Sequence, residues 1–147
     1  MAKIMVVDDD PDMRLLLRRL LEREGYEALE AENGEECLRE AEKKKPDLIL
    51  LDIMMPGLDG WEVCRMLKES PSTKSIRVSM LSVRNEEEDV EKSFEYAYAD
   101  AHLGKPVKRE ELTSTIKRLL QQAPEKCREH EIMKLSGLRE KLKRVLL

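Results

Sequence analysis

Aromatic side chains are scarce in this sequence: one Trp, one Phe and three Tyr among 147 residues. A stacking platform for single-stranded nucleic acid needs several rings along a groove, so that class is excluded. Cysteine is rarer still. Cys37, Cys64 and Cys127 are odd in number and far apart, which rules out a disulfide framework or a metal-ligand spacing and leaves ordinary packing or surface thiols. No zinc set is suggested: His102 has no Cys or second His nearby, and His130 has only Cys127. No apolar run approaches the roughly 18 residues of a membrane span, and Met1-Ala2-Lys3-Ile4 lacks the layout of a secretion signal. A cytoplasmic protein without membrane contact is expected. Positive charge is short as well: the net is −4, with −7 on residues 1–123 and +3 on residues 124–147. An acidic body does not suit non-specific DNA binding, but it does suit gathering a divalent cation.

What the sequence has in quantity is alternation between apolar runs of strand length and segments of helical period. Residues 4–7 form a buried strand run ending in Asp8-Asp9-Asp10. A helix follows, with Asp10 as N-cap, Pro11 in its first position, and Met13, Leu16, Leu17, Leu20 and Leu21 on one face. Gly25 stops it. Residues 26–31 read as a weaker strand, and Asn33-Gly34-Glu35-Glu36 offers a capping box for a helix to about Lys44. Past Pro46, residues 47–51 are the most apolar strand and end at Asp52. A loop with Pro56 and Gly57 leads to a helix over 60–69, capped by Asp59. Strand four covers 76–81, helix four about 86–97, strand five 101–103, and helix five about 108–122 with Leu112, Ile116, Leu119 and Leu120 inward. The acidic run Glu86-Glu87-Glu88-Asp89 reads as a solvated helix start favoured by the helix dipole. Five such units imply a parallel sheet covered on both faces. Right-handed crossovers then make a doubly wound α/β fold, whose ligand site lies beyond the carboxyl ends of its strands.

Chemistry is concentrated at those ends. Strand one runs into Asp8-Asp9, strand three into Asp52, strand four into Ser82 and strand five into Lys105-Pro106. Clustered acids repel one another unless a cation sits among them. A hard divalent ion with oxygen ligands answers this, and Mg²⁺ is the usual one in phosphate chemistry. A carboxylate can carry an acyl phosphate, an ammonium can offset charge on the transferring group, and a hydroxyl can donate to its oxygens.

The segments Met5-Val6-Val7-Asp8-Asp9-Asp10, Leu50-Leu51-Asp52-Ile53-Met54-Met55-Pro56-Gly57-Leu58-Asp59-Gly60, Met80-Leu81-Ser82 and Lys105-Pro106 resemble the four signature blocks of response-regulator receiver domains, in order and in spacing, over roughly residues 3–122. The resemblance implies a flavodoxin-like five-stranded parallel sheet of order 2-1-3-4-5 with five helices, to which this chain adds a C-terminal one. It implies Asp52 as phosphoacceptor, and Asp9 and Asp52 as direct Mg²⁺ ligands. Asp8 would act mostly through a metal-bound water, and the Met54 backbone carbonyl would complete the set. It further implies Ser82 and His102 as switch residues, Lys105 as partner of the phosphoryl group, and a cis Lys105-Pro106 bond. The donor would be a phosphohistidine on a sensor kinase or phosphotransfer protein. The output face would be helix four, strand five and helix five, meeting an unidentified downstream protein. A module of this kind is a switch, not an enzyme turning over an outside substrate.

Several positions depart from the family pattern. His102 stands where an aromatic is usual and brings a protonation state, hence a pH-dependent readout. Val83 replaces a small residue and is expected to restrict the Ser82 hydroxyl. Tyr98 stands where Gly is common, so a remodelled turn is expected; Arg77 and Val107 replace a frequent Pro and Phe. Met54 and Arg84 flank the path of attacking water and are expected to lengthen the life of the acyl phosphate. Two other readings are a Mg²⁺-dependent aspartyl-phosphate phosphohydrolase, using the spacing Asp8-x-Asp10, and an unphosphorylated dimerisation module. Residues 1–123 are expected to form the domain that this resemblance implies. Residues 124–147 suit a further helix striped by Leu135, Leu138, Leu142 and Val145 and weakened by Gly137. It is expected to pack on its own domain or pair two copies, with a linker as the remaining option. The segment is too short for a helix-turn-helix unit, so direct nucleic-acid contact is not expected.

Overall fold

In the computed structural model the backbone is described for residues 1–146 and side chains for 1–123 and 126–137. The elements run β1 (Lys3–Val7), α1 (Pro11–Arg23), β2 (Glu27–Ala31), α2 (Gly34–Lys44), β3 (Leu48–Leu51), α3 (Gly60–Glu69), β4 (Arg77–Ser82), α4 (Glu87–Glu95), β5 (Ala101–Gly104), α5 (Arg109–Gln121) and α6 (Pro124–Leu146). All strand pairs are parallel, in the order β2-β1-β3-β4-β5. Strands successive in sequence sit on both sides of β1, so the chain reverses its winding between β1 and β3, where a doubly wound sheet opens its crevice.

Side chains of a strand alternate between faces, and the core divides accordingly. Met5, Val7, Ile49, Leu51, Val78 and Met80 pack with Cys37, Ala41, Val63, Cys64 and Leu67 of α2 and α3. Ile4, Val6, Leu48, Leu50 and Leu81 pack on the other face with Leu17 and Leu21 of α1 and Leu112, Ile116 and Leu119 of α5. Both strand faces are buried, which is why these segments are continuously apolar. Caps set the helix starts: Asp10 accepts from Asp12 N, Asn33 from Glu36 N and Asp59 from Glu62 N. The reciprocal half of the box at Asn33 differs from expectation, because the Glu36 carboxylate accepts from Glu32 N.

Three local expectations are corrected. Leu16 is 62% exposed and does not face the core, because α1 buries only the narrower stripe of Leu17 and Leu21. Asp89 is buried, not solvated: its carboxylate accepts from Glu86 N and pairs with Arg84 at 3.1 Å. The turn before β5 keeps the backbone that a glycine would supply, with Tyr98 itself at φ +61°. That left-handed conformation is strained for an aromatic residue, and the ring is held between the Arg65 and Arg128 guanidiniums.

All three thiols are buried. Cys127 fixes the first turns of α6: it is part of the α1/α5 core, and its Sγ lies 3.9 Å from the Leu119 carbonyl. Glu131 pairs with Arg118 of α5. The side chains of Leu138, Leu142 and Val145, three of the four stripe positions, lie outside the described residues.

Candidate functional site at the carboxyl edge of the sheet

The ladder between the two central strands continues one residue past β3, where Asp52 N donates to Val7 O at 3.0 Å. This sets Asp52 beside Asp8, and one oxygen from each of Asp8, Asp9 and Asp52 falls within 4.8 Å of the others. Asp8 is 3% and Asp52 8% exposed, while Asp9 faces solvent. Asp8 Oδ1 accepts from Asp10 N, and its carbonyl accepts from Arg14 Nη1 at 2.7 Å. Asp52 Oδ1 accepts from Met54 N at 3.2 Å. Gly60 is needed on steric grounds: a β-carbon there would overlap the Asp52 carbonyl oxygen, so α3 begins hard against the acceptor.

On the other flank, Lys105 N donates to Ser82 O at 2.9 Å, tying the lysine to the end of β4. The Lys105 ammonium lies 2.6 Å from Asp8 Oδ2 and 3.2 Å from Asp52 Oδ2. Burial disfavours its charge, but Asp8 and Asp52 outweigh that and hold its pKa above the usual lysine value. The Lys105-Pro106 bond is cis. Ser82 is fully buried, and its hydroxyl oxygen accepts from Arg84 N at 3.2 Å. Val83 is 64% exposed and does not crowd that hydroxyl, contrary to expectation.

The fold thus brings positions 8, 9, 52, 82 and 105 to one edge of the sheet. His102 stands apart from them, toward α4: Nδ1 meets Ser93 Oγ at 2.8 Å and Nε2 meets the Arg84 carbonyl at 3.1 Å. Burial pushes this ring down to about 4, so it is neutral at physiological pH, and the expected pH dependence moves to acidic solution. Met54 is 53% exposed and lines an open groove with Met55, Pro56, Trp61 and Arg84. Sequence reading missed Trp61 and Ser93, joined through Trp61 Nε1 and Ser93 Oγ at 3.0 Å. The one available signal was that the single Trp follows Gly60 directly.

Three carboxylates offering only hard oxygen atoms fit a divalent cation of the Mg²⁺ type. The comparisons with known proteins identify the family. The family model for the response regulator receiver domain matches residues 4–117. The chain is 45% identical to the transcriptional regulatory protein ResD of Bacillus subtilis, over 83% of this chain and 49% of ResD. It therefore spans about half the length of that regulator. Protein PilH of Pseudomonas aeruginosa is 38% identical over 82% of this chain and 98% of its own length. The solved response regulator TrrA of Thermotoga maritima, in complex with Mg²⁺-BeF, is 36% identical with a TM-score of 0.73, covering 81% of this chain and 99% of TrrA. By fold, by the residues at its strand ends and by these likenesses, the chain belongs to the response regulator receiver domains of two-component systems.

Proposed function

We propose that this chain accepts a phosphoryl group on Asp52 from a phosphohistidine of a sensor kinase or phosphotransfer protein and changes its binding surface in response. The observation that carries this reading is the Lys105 ammonium placed between Asp8 and Asp52. A half-buried cation bridging two carboxylates at a sheet edge is arranged to meet charge arriving there. An Asp52 oxygen attacks phosphorus; the new O–P bond forms as the donor's P–N bond breaks, and the electron pair returns to the imidazole. Lys105 then exchanges a carboxylate partner for a phosphoryl oxygen, and the Ser82 hydroxyl donates to another. Mg²⁺, held by Asp8, Asp9, Asp52 and the Met54 carbonyl, would supply the remaining charge neutralisation.

The phosphohydrolase reading is the weaker one, because Asp10 Oδ1 already accepts from Asp12 N at 2.9 Å as the α1 cap. The domain is best read as residues 1–123, with 124–147 as an extension that packs through Cys127 and Glu131 on its own α5. The output face is assigned to α4, β5 and α5, the partner to a cytoplasmic protein.

Incubation with acetyl phosphate and Mg²⁺, followed by intact mass, is expected to show one phosphoryl adduct, absent in Asp52→Asn. Multiple turnover of an unrelated phosphoester, or no adduct, would sink the proposal. Met54 and Arg84 are read as a shield over the acyl phosphate, Arg84 being tethered to Asp89 and to the Trp61 ring. Met54→Asn is expected to speed loss of the phosphoryl group several-fold, timed by the decay of the adduct; an unchanged lifetime would count against the shield.

A further inference from the structure

Building on that function, we propose that Ser93 is a positioning residue for the Ser82 hydroxyl, acting through His102 and the Arg84 backbone. Four contacts run in series. Trp61 Nε1 lies 3.0 Å from Ser93 Oγ, Ser93 Oγ 2.8 Å from His102 Nδ1, His102 Nε2 3.1 Å from the Arg84 carbonyl, and Arg84 N 3.2 Å from Ser82 Oγ.

The hydrogens in this series follow by elimination. A carbonyl only accepts, so His102 Nε2 carries a proton. A neutral imidazole has one N–H, so Nδ1 accepts and the Ser93 hydroxyl donates to it. An indole N–H only donates, so Trp61 supplies the Ser93 oxygen. The alternative acceptor for Ser93, the Asp89 carbonyl one helical turn back, is more distant at 3.1 Å. Each donor then has one acceptor, and the first three bonds point in a single direction up to the Arg84 carbonyl.

The result is that the Arg84 peptide is held on both sides. Its carbonyl is fixed by His102, and its N–H is delivered to Ser82. Because the Ser82 oxygen accepts that N–H, its own O–H is left free to donate toward the rim where the phosphoryl group arrives. The series begins at α3, whose first residue, Gly60, is bonded through its N–H to Ile53 O and abuts Asp52. It ends at Ser82 on the neighbouring strand. Ser93, fully buried on α4, is the member whose single hydroxyl both accepts and donates. Its loss would orphan the Trp61 N–H and leave His102 Nδ1 without a donor, so that the ring is held at Nε2 alone.

Nitrogen-15 NMR of the His102 imidazole in the unphosphorylated 147-residue chain at neutral pH is expected to show Nε2 protonated and Nδ1 bare. Ser93→Ala and His102→Phe are each expected to slow phosphoryl uptake from acetyl phosphate by roughly two- to tenfold, about the worth of one hydrogen bond. The double variant should be no slower than the slower single one, because both break the same series. An Nδ1–H tautomer would overturn the proposal, as would two effects that multiply, or two variants with normal uptake. The tautomer is read without any phosphodonor, so it decides the bond order even if a variant fails to fold. Absence of uptake in the unmodified chain would count instead against the function of Asp52.

Discussion

Lys105→Met is expected to slow phosphoryl uptake from acetyl phosphate on the order of 10²–10³-fold, the range for removing one preorganised donor from developing charge. The ammonium is the described cation in contact with both Asp8 and Asp52, and it is half-buried, so its field is less screened than that of a surface lysine. Methionine fills a similar volume and leaves three carboxylates facing one another with no ammonium between them. Lys105→Arg is expected to recover little, because a planar fork cannot occupy the place of a compact point charge 2.6 Å from one carboxylate and 3.2 Å from another. Uptake followed by intact mass, with thermal melting recorded alongside, separates lost chemistry from lost fold. A tenfold effect or less would show that the metal and the backbone carry most of the stabilisation.

Lys68→Met is expected to cost about 3–5 kcal/mol of stability, the range for leaving one member of a buried pair unpartnered. Lys68 Nζ lies 2.7 Å from Asp100 Oδ2, with side-chain exposures of 8% and 2%. Asp100 also accepts from Val78 N at 2.8 Å, and Lys68 donates to Ile76 O at 2.7 Å. This pair therefore stitches the end of α3 to the entry of β4 and the approach to β5. Burial raises the Asp100 pKa, and the Lys68 ammonium pulls it back. Against a typical total of about 5–15 kcal/mol, such a loss is large. Adding Asp100→Asn should restore most of it, since the amide oxygen still accepts from Val78 and no charge is left behind. Urea unfolding of the single and double variants reads both; a single-variant loss below about 1 kcal/mol would mean that water reaches the carboxylate.

The sheet was legible because its strands are buried on both faces: residues 4–7 and 48–51 are apolar without interruption, and each run leads into the acids that cluster at the edge. Helix starts were legible at Asp10, Asn33 and Asp59, where the capping side chain lies two or three residues from its donor. What failed was anything set by partners distant in sequence. Leu16 joined an apolar stripe by periodicity, yet α1 meets the sheet along a narrower line. Asp89 belonged to an acidic run until Arg84 folded over it. Lys68 and Asp100 are ordinary charges 32 residues apart, and Ser93 is an ordinary helix serine until Trp61 and His102 reach it. The spacing of the signature blocks was enough to assemble the acidic cluster and the lysine, but not the supports behind the Ser82 hydroxyl.

The strand order has a mechanical consequence. The acidic cluster hangs from β1 and β3, each bonded to strands on both sides, whereas His102 and Lys105 belong to or follow β5, a rim strand paired on one side only. Local opening starts where backbone bonds are fewest. The acidic cluster can therefore stay stiff while the rim strand breathes, so on the proposed function a signal laid down in the rigid half would be broadcast from the pliable half.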